Sequence, residues 1–297
     1  MQLLTQNVAV EPTRQATLPG CVGRIQGPRP FLKWAGGKSR LVPVLRKCVP
    51  RNFGRYFEPF LGGGALFFNL LPARAVLGDS NYDLIHCFKT VRDRPDEVLE
   101  YLRSLTVGEE EFYRIRGVDP GTLSDGARAA RFIYLNKTCF NGLYRVNKKG
   151  LFNTPFGQYK KVVLADSESL LSASQSLRKV ELRCEDYSSV LQKARPEDFV
   201  YLDPPYLPVG KYSDFKRYTK KQFYESDHEK LAEVFRLLTQ KGCRVLLSNS
   251  FHERISNLFA GFYQAIVSMP RFINCKGDGR GAVKELLISN YPTTLTQ

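Results

Sequence analysis

Short apolar runs that stop at turn-forming or acidic residues alternate along this chain with stretches of helical periodicity. That alternation predicts an α/β fold on a mainly parallel sheet. Residues 55–60 (RYFEPF) predict a strand, which ends at Gly62, Gly63 and Gly64 and is followed by the helix-like ALFFNLL. Residues 75–78 (AVLG) predict a second strand stopping at Asp79, and 198–202 (DFVYL) a third stopping at Asp203. Beyond it, Ser226 with Glu229 reads as a capping box, and Leu231, Val234, Phe235 and Leu238 mark the inner face of a helix. Lys241-Gly242 closes that helix, and RVLLSNS (244–250) predicts a buried strand with Asn249 near its carboxyl edge.

The pattern weakens in two places. Residues 1–28 are polar, with little periodicity, and predict a flexible leader. Residues 84–165 are more helical and irregular and interrupt the alternation, so they read as an inserted unit. The expected organisation is a main α/β domain formed by 29–83 and 166–297, with a second domain formed by 84–165. At 297 residues the chain has room for one large domain carrying such an insertion.

Charge sharpens the picture. Lysine and arginine total 44 against 29 aspartate and glutamate, a formal net charge of +15, which favours a polyanionic partner. Residues 128–161 hold eight basic side chains and no acidic one, interleaved with aromatics, whereas 84–127 hold six basic and nine acidic. No apolar run is long enough to span a membrane, and the first thirty residues lack a secretory h-region, so the expected location is cytoplasmic. Seven cysteines are scattered without a C-x-x-C pair, and His228 and His252 have no second ligand at metal spacing. Neither a disulfide framework nor a metal is expected.

AGGKS (35–39) mimics the end of a phosphate loop, but Leu32 stands where its first glycine belongs and no apolar strand precedes it. The glycines at 62–64 open a dinucleotide-like turn that lacks the third glycine, since Phe67 occupies that place. Their position carries more information. A glycine turn after one strand and an acid, Asp79, at the end of the next suit a nucleoside-bearing cofactor, with Asp79 accepting from ribose hydroxyls. The strongest signal is Asp203-Pro204-Pro205-Tyr206. Tandem prolines cannot continue a central strand, so the carboxylate and nearby carbonyls project at the sheet's carboxyl edge. Acceptors aimed at an exocyclic amine favour a pyramidal nitrogen with an available lone pair, while Tyr206 offers a ring for stacking the base.

With these residues in view, the chain resembles Dam-type DNA adenine N6-methyltransferases, which use S-adenosylmethionine. The resemblance runs from about Pro30 to Tyr291 through FLKWAGGKSRL, FEPFLGGGALFFN, GDSN, YLNKTCFNGLYRVN, FNTPFGQYKK, DPPY and RFINCKGDGRGAVKELLISNY. It implies a Rossmann-like methyltransferase sheet with an inserted, mainly helical DNA target-recognition domain. It also implies cofactor contacts at Trp34, Lys38, Asp79 and Asp203, with Phe60, Gly62 and Gly64 forming the loop beneath. Asp203, the Pro204 carbonyl and Tyr206 would hold the target adenine. Phe140, Asn141, Leu143 and Arg145 match the hairpin that enters DNA, and Lys33 and Pro155 match further base-proximal positions. Arg145 is the candidate for a bidentate guanine contact. Where family members often carry Tyr, this chain has Phe140, which can wedge into a base step but has no hydroxyl to donate.

The expectation is methyl transfer from S-adenosylmethionine to N6 of adenine in double-stranded DNA, within GATC, by base flipping, by a protein that is monomeric in solution. The competing readings are an amino-methyltransferase acting on cytosine N4 or RNA adenine, and a DNA-binding relative without turnover.

Overall fold

The computed structural model describes residues 8–9, 28–34, 36–147, 149–159, 161–207, 223–269 and 283–296. Its strands are β1 (Val8–Ala9), β2 (Tyr56–Glu58), β3 (Ala75–Asp79), β4 (Val180–Cys184), β5 (Phe199–Leu202), β6 (Arg244–Ser250), β7 (Tyr263–Met269) and β8 (Val283–Ser289). The helices are α1 (Val42–Cys48), α2 (Ala65–Leu70), α3 (Tyr82–Asp93), α4 (Pro95–Ser104), α5 (Glu109–Gly117), α6 (Asp125–Thr138), α7 (Ser167–Leu177), α8 (Val190–Lys193), α9 (Glu225–Gln240) and α10 (Glu253–Leu258).

All eight strands join one sheet in the order β1-β7-β8-β6-β5-β2-β3-β4. The run from β6 to β4 is parallel, and β8 is antiparallel to both β6 and β7. After β2 the chain adds β3 and β4 on one side and then returns to add β5 and β6 on the other. The order therefore reverses at β2, and the crevice beyond the carboxyl ends of β2 and β5 is where ligands bind in open α/β sheets.

Both sheet faces are covered, which explains why the strands read as continuous apolar runs. Successive residues point to opposite faces. Tyr56, Leu77, Tyr201 and Leu246 join the cluster made with α1–α4, α6 and α7, while Phe57, Val76, Val200 and Leu247 join the one made with α8–α10. The first cluster also takes in Leu84, Phe88, Phe112 and Ile133. The helical part of the expected insertion is thus continuous with the sheet's own core, and the expected boundary at 83/84 falls inside α3. The rest of that segment forms a hairpin closed by bridges Cys139↔Phe156 and Val146↔Phe152.

Two expectations change. The capping box lies elsewhere: α9 starts at Glu225, and the Asp227 carboxylate accepts from the Tyr224 N–H at 2.8 Å, leaving Ser226 within the first turn. An acid three residues beyond Tyr224 reaches back over the first turn, so the chain enters the helix before Ser226. The leader falls outside the described residues except for Pro28 and for Val8–Ala9, which pair parallel with Val267 and Ser268 rather than standing clear of the fold. The open edge of β7 supplies unpaired backbone groups for that dipeptide. The other end of α9 is as expected, with Gly242 at φ 81°. Leu231, Val234, Phe235 and Leu238 are buried.

Cys48, Cys87, Cys139 and Cys243 are buried thiols, Cys184 is exposed, and Cys21 and Cys275 lie outside the described residues. No cluster of potential metal ligands occurs among the described residues. Nor, among them, is any helix long and apolar enough to cross a membrane.

Candidate active site

The glycine turn after β2 is built around Trp34. At Gly62 (φ 49°) a Cβ would stand 2.7 Å from the indole Cδ1, so no side chain fits there. Gly64 (φ 68°) is the residue from which α2 begins. The Asp79 carboxylate ties this turn to the next element: Oδ2 accepts from the Gly62 N–H at 3.1 Å and Oδ1 from the Asn81 N–H at 2.9 Å. Asn81 in turn caps α3 by accepting from the Leu84 N–H. Burial pushes the Asp79 carboxyl up to about 6, against the pull of these N–H donors. At neutral pH it is therefore an ionised acceptor at the strand end. Phe60 stacks on Tyr187 with ring centres 5.0 Å apart. A surface pocket lined by Pro59, Gly78, Glu185 and Asp186 opens beside that pair of strand ends.

At the end of β5, Asp203 is held from two sides. Its Oδ1 accepts from Ser248 Oγ and from the Lys38 ammonium, each at 2.9 Å. Ser248 has one hydroxyl hydrogen, spent on Asp203, so the Tyr201 hydroxyl 2.8 Å away must donate to Ser248. The relay Tyr201→Ser248→Asp203 occupies Oδ1, and no donor among the described residues reaches Oδ2. Lys38 also donates to the Gly36 carbonyl at 2.7 Å, and its ammonium lies 4.3 Å from the centre of the Tyr206 ring. A nitrogen cation thus stands between a carboxylate and an aromatic face.

The Tyr206 hydroxyl donates to Glu285 Oε2 at 2.5 Å. Below the corner, buried Glu58 accepts from the Tyr56 hydroxyl at 2.8 Å, and burial pushes its carboxyl up to about 8, so it holds its proton at neutral pH. Burial also raises Asp203, opposed by the charge and hydrogen bond of Lys38 and by Ser248. Asp79 and Asp203 end the two strands flanking β2, so they stand roughly 10 Å apart, two strand spacings.

Glu58, Tyr201, Ser248 and Glu285 were not anticipated. A glutamate inside the apolar YFEPF run was a legible sign of a buried acid. Ser248 and Glu285 had no such mark, because their roles depend on β6 lying beside β5 and β8 beside β6. The failed phosphate-loop match is explained by the fold: Lys38 begins a short 3-10 turn with its ammonium on Asp203.

The candidate DNA-facing residues gather on one surface. The Phe140 N–H donates to the Pro155 carbonyl at 2.9 Å, Asn141 adopts φ 55°, and Gly142 packs against the Lys33 side chain. Phe140, Asn141, Pro155 and Lys33 are exposed and Leu143 is half-buried. Arg145 is held by Asn153, through Nε to Oδ1 at 2.9 Å. Trp34 joins this surface to the glycine turn, stacking on Tyr144 of the hairpin at 5.6 Å. The basic run itself is only partly available. Arg128 pairs with Asp83, Arg131 donates to the carbonyls of Ile115 and Arg116, and Lys137 to those of Val163 and Leu164. Lys149 and Lys161 are exposed, and Lys148 and Lys160 lie outside the described residues.

A mainly parallel sheet with a glycine turn at its switch point, an acid at the next strand end and a proline-rigid acidic corner fits an α/β methyltransferase. The family model for D12 class N6 adenine-specific DNA methyltransferases matches residues 34–270, and the chain belongs to that family. It is 40% identical to a type II methyltransferase, M.MjaIII, of Methanocaldococcus jannaschii, over 89% of this chain and 99% of that protein. It is 37% identical to the type II methyltransferase M1.LlaDCHI of Lactococcus lactis subsp. cremoris, over 89% and 95% of the two chains. To the DNA adenine methylase of Escherichia coli (strain K12) it is 35% identical, over 89% of this chain and 96% of that one.

Proposed function

We propose that this protein takes the methyl group from S-adenosylmethionine and places it on N6 of an adenine turned out of duplex DNA, within GATC, acting as a monomer. The observation that carries this reading is the position of the Lys38 ammonium. The corner already holds a nitrogen between the Asp203 carboxylate and the Tyr206 ring. A stacked adenine needs the same two partners for its exocyclic amine and its ring. Asp203 Oδ2 and the Pro204 carbonyl are the acceptors assigned to that amine, and Lys38 must yield space as the base arrives.

The residues at the switch point fit the cofactor by their chemistry. Asp79 is an ionised acceptor for ribose hydroxyls, Gly62 and Gly64 keep the turn free of side chains, Phe60 and Trp34 supply apolar walls, and Asp203 and Lys38 bound the far end. S-adenosylmethionine supplies a methyl group activated on a sulfonium. The chain's own contribution is to align the amine, to hold its hydrogens and to exclude water, and alignment alone accounts for a large share of a rate enhancement.

The residues 84–165 serve as the target-recognition unit in this reading. Phe140 wedges into the base step, Lys33, Asn141, Leu143 and Pro155 line the bases, and Arg145 addresses guanine. Extruding a base costs a few kcal/mol, offset by the wedge and by stacking in the corner.

Asp203→Ala is expected to abolish methyl transfer while leaving DNA affinity largely intact, measured with labelled cofactor and by DNA titration. Normal turnover in that variant refutes the assignment. Nucleoside mass analysis of the product separates N6-methyladenine from N4-methylcytosine, and mapping methylated adenines in DNA from expressing cells reads the site directly.

A further inference from the structure

The hydroxyl of Tyr206 has no part in stacking a base, yet it is given a strong partner. It donates to Glu285 Oε2 at 2.5 Å, within the range of charge-assisted bonds. Glu285 comes from β8, 79 positions further along the chain, and pairs across the sheet with Ser250 of β6 and Val267 of β7. It lies on the same sheet face as Ser248, two residues along β6 from its opposite, so both ends of the Asp203–Tyr206 corner are held from strands outside it. Ser248 fixes Asp203; Glu285 fixes Tyr206.

A tyrosine ring on a short turn has two torsions to lose. Anchoring the phenol oxygen fixes the first, and because the O–H bond prefers the ring plane, an acceptor in a fixed place also biases rotation about the Cβ–Cγ axis on which that oxygen lies; the ring face is then presented to the space that the Lys38 ammonium now occupies, 4.3 Å from the ring centre. Without the anchor the ring is free to swing over Asp203 or away from the corner. We propose that Glu285 is a positioning residue that holds the Tyr206 ring at the angle at which it receives the target base. This rests on the reading that Tyr206 stacks an extruded adenine.

The test is a double-mutant cycle on the full-length protein, read by turnover and by the fluorescence lifetime of 2-aminopurine placed at the target position of a DNA duplex. Glu285→Ala and Tyr206→Phe should each lower kcat by roughly 10- to 100-fold, the loss of one charge-assisted hydrogen bond, with DNA KM little changed. The double variant should be no worse than either single one. In all three the extruded 2-aminopurine should show a lifetime different from that in the wild-type complex, because the ring no longer stacks on it in one geometry. Glu285→Gln, which keeps an acceptor oxygen without the charge, should recover part of the loss, and Glu285→Leu, which cannot accept, serves in the cycle if the alanine variant fails to fold. Independent, multiplying losses overturn the proposal, as do wild-type turnover and lifetime in Glu285→Ala or Glu285→Leu. If 2-aminopurine shows no unstacking even with the wild-type protein, the base-extrusion reading itself falls.

Discussion

Replacing Lys38 by methionine removes the cation that, among the described residues, is bonded to Asp203, while keeping much of the side chain's length. The pair is close and largely shielded from solvent, with Nζ 2.9 Å from Oδ1 and side-chain exposures of 7% and 19%. Burial already raises the Asp203 carboxyl, and Lys38 is the largest influence opposing that rise. A cation at such a distance holds a carboxylate down by about 1 to 3 pH units, or about 1.4 to 4 kcal/mol. In Lys38→Met the ionised form loses that support, so Asp203 takes up its proton at a higher pH. A protonated Asp203 is a poorer acceptor for an amine, and activity is lost as pH falls. The acid limb of kcat/KM, which reports the enzyme before the base displaces Lys38, should therefore move upward by about 1 to 3 pH units relative to wild type. The assay is methylation at saturating cofactor and sub-saturating DNA across pH, which separates this effect from any change in cofactor affinity. Lys38→Arg, which retains the charge, should leave the limb close to its wild-type position. An unmoved limb in Lys38→Met, with activity lowered equally at every pH, would refute the argument that Lys38 keeps Asp203 ionised.

Glu58 makes a stability prediction with the opposite slope to the usual carboxylate. Its folded value of about 8 exceeds the ordinary 4.5, so its contribution is fully present below pH 4.5 and is lost as pH rises through 8, by about 5 kcal/mol at most. Glu58→Gln should flatten the fall of Tm between pH 5 and 9, and a variant whose Tm falls as steeply as wild type removes the basis for a buried neutral acid. Arg145→Ala should lower kcat/KM on the preferred sequence roughly 5- to 150-fold more than on sequences altered at the contacted base pair. Equal loss on all sequences would make Arg145 a phosphate contact instead.

The local ingredients of this protein were legible in its sequence because they depend on neighbours a few residues away. Apolar runs ending at Asp79 and Asp203 named the strand ends, the tandem prolines named a turn that cannot pair, and the glycines at 62–64 named a turn without side chains. The helix from 225 to 240 was visible from its apolar face even though its capping residues were placed two positions late. What the tertiary structure decided is how these pieces are shared. Lys38, read as part of a failed phosphate loop and then as a cofactor contact, lies on Asp203. Ser248 and Glu285 become the supports of the corner only because β6 and β8 lie next to one another beside β5. Half-visible basic residues such as Arg128, Arg131 and Lys137 turn inward to carboxylate and carbonyl partners, which no charge count could show. Periodicity is a property of one segment and survives in the sequence. Partnership between groups far apart in the chain is set by strand order and packing, and exists only once the sheet has formed.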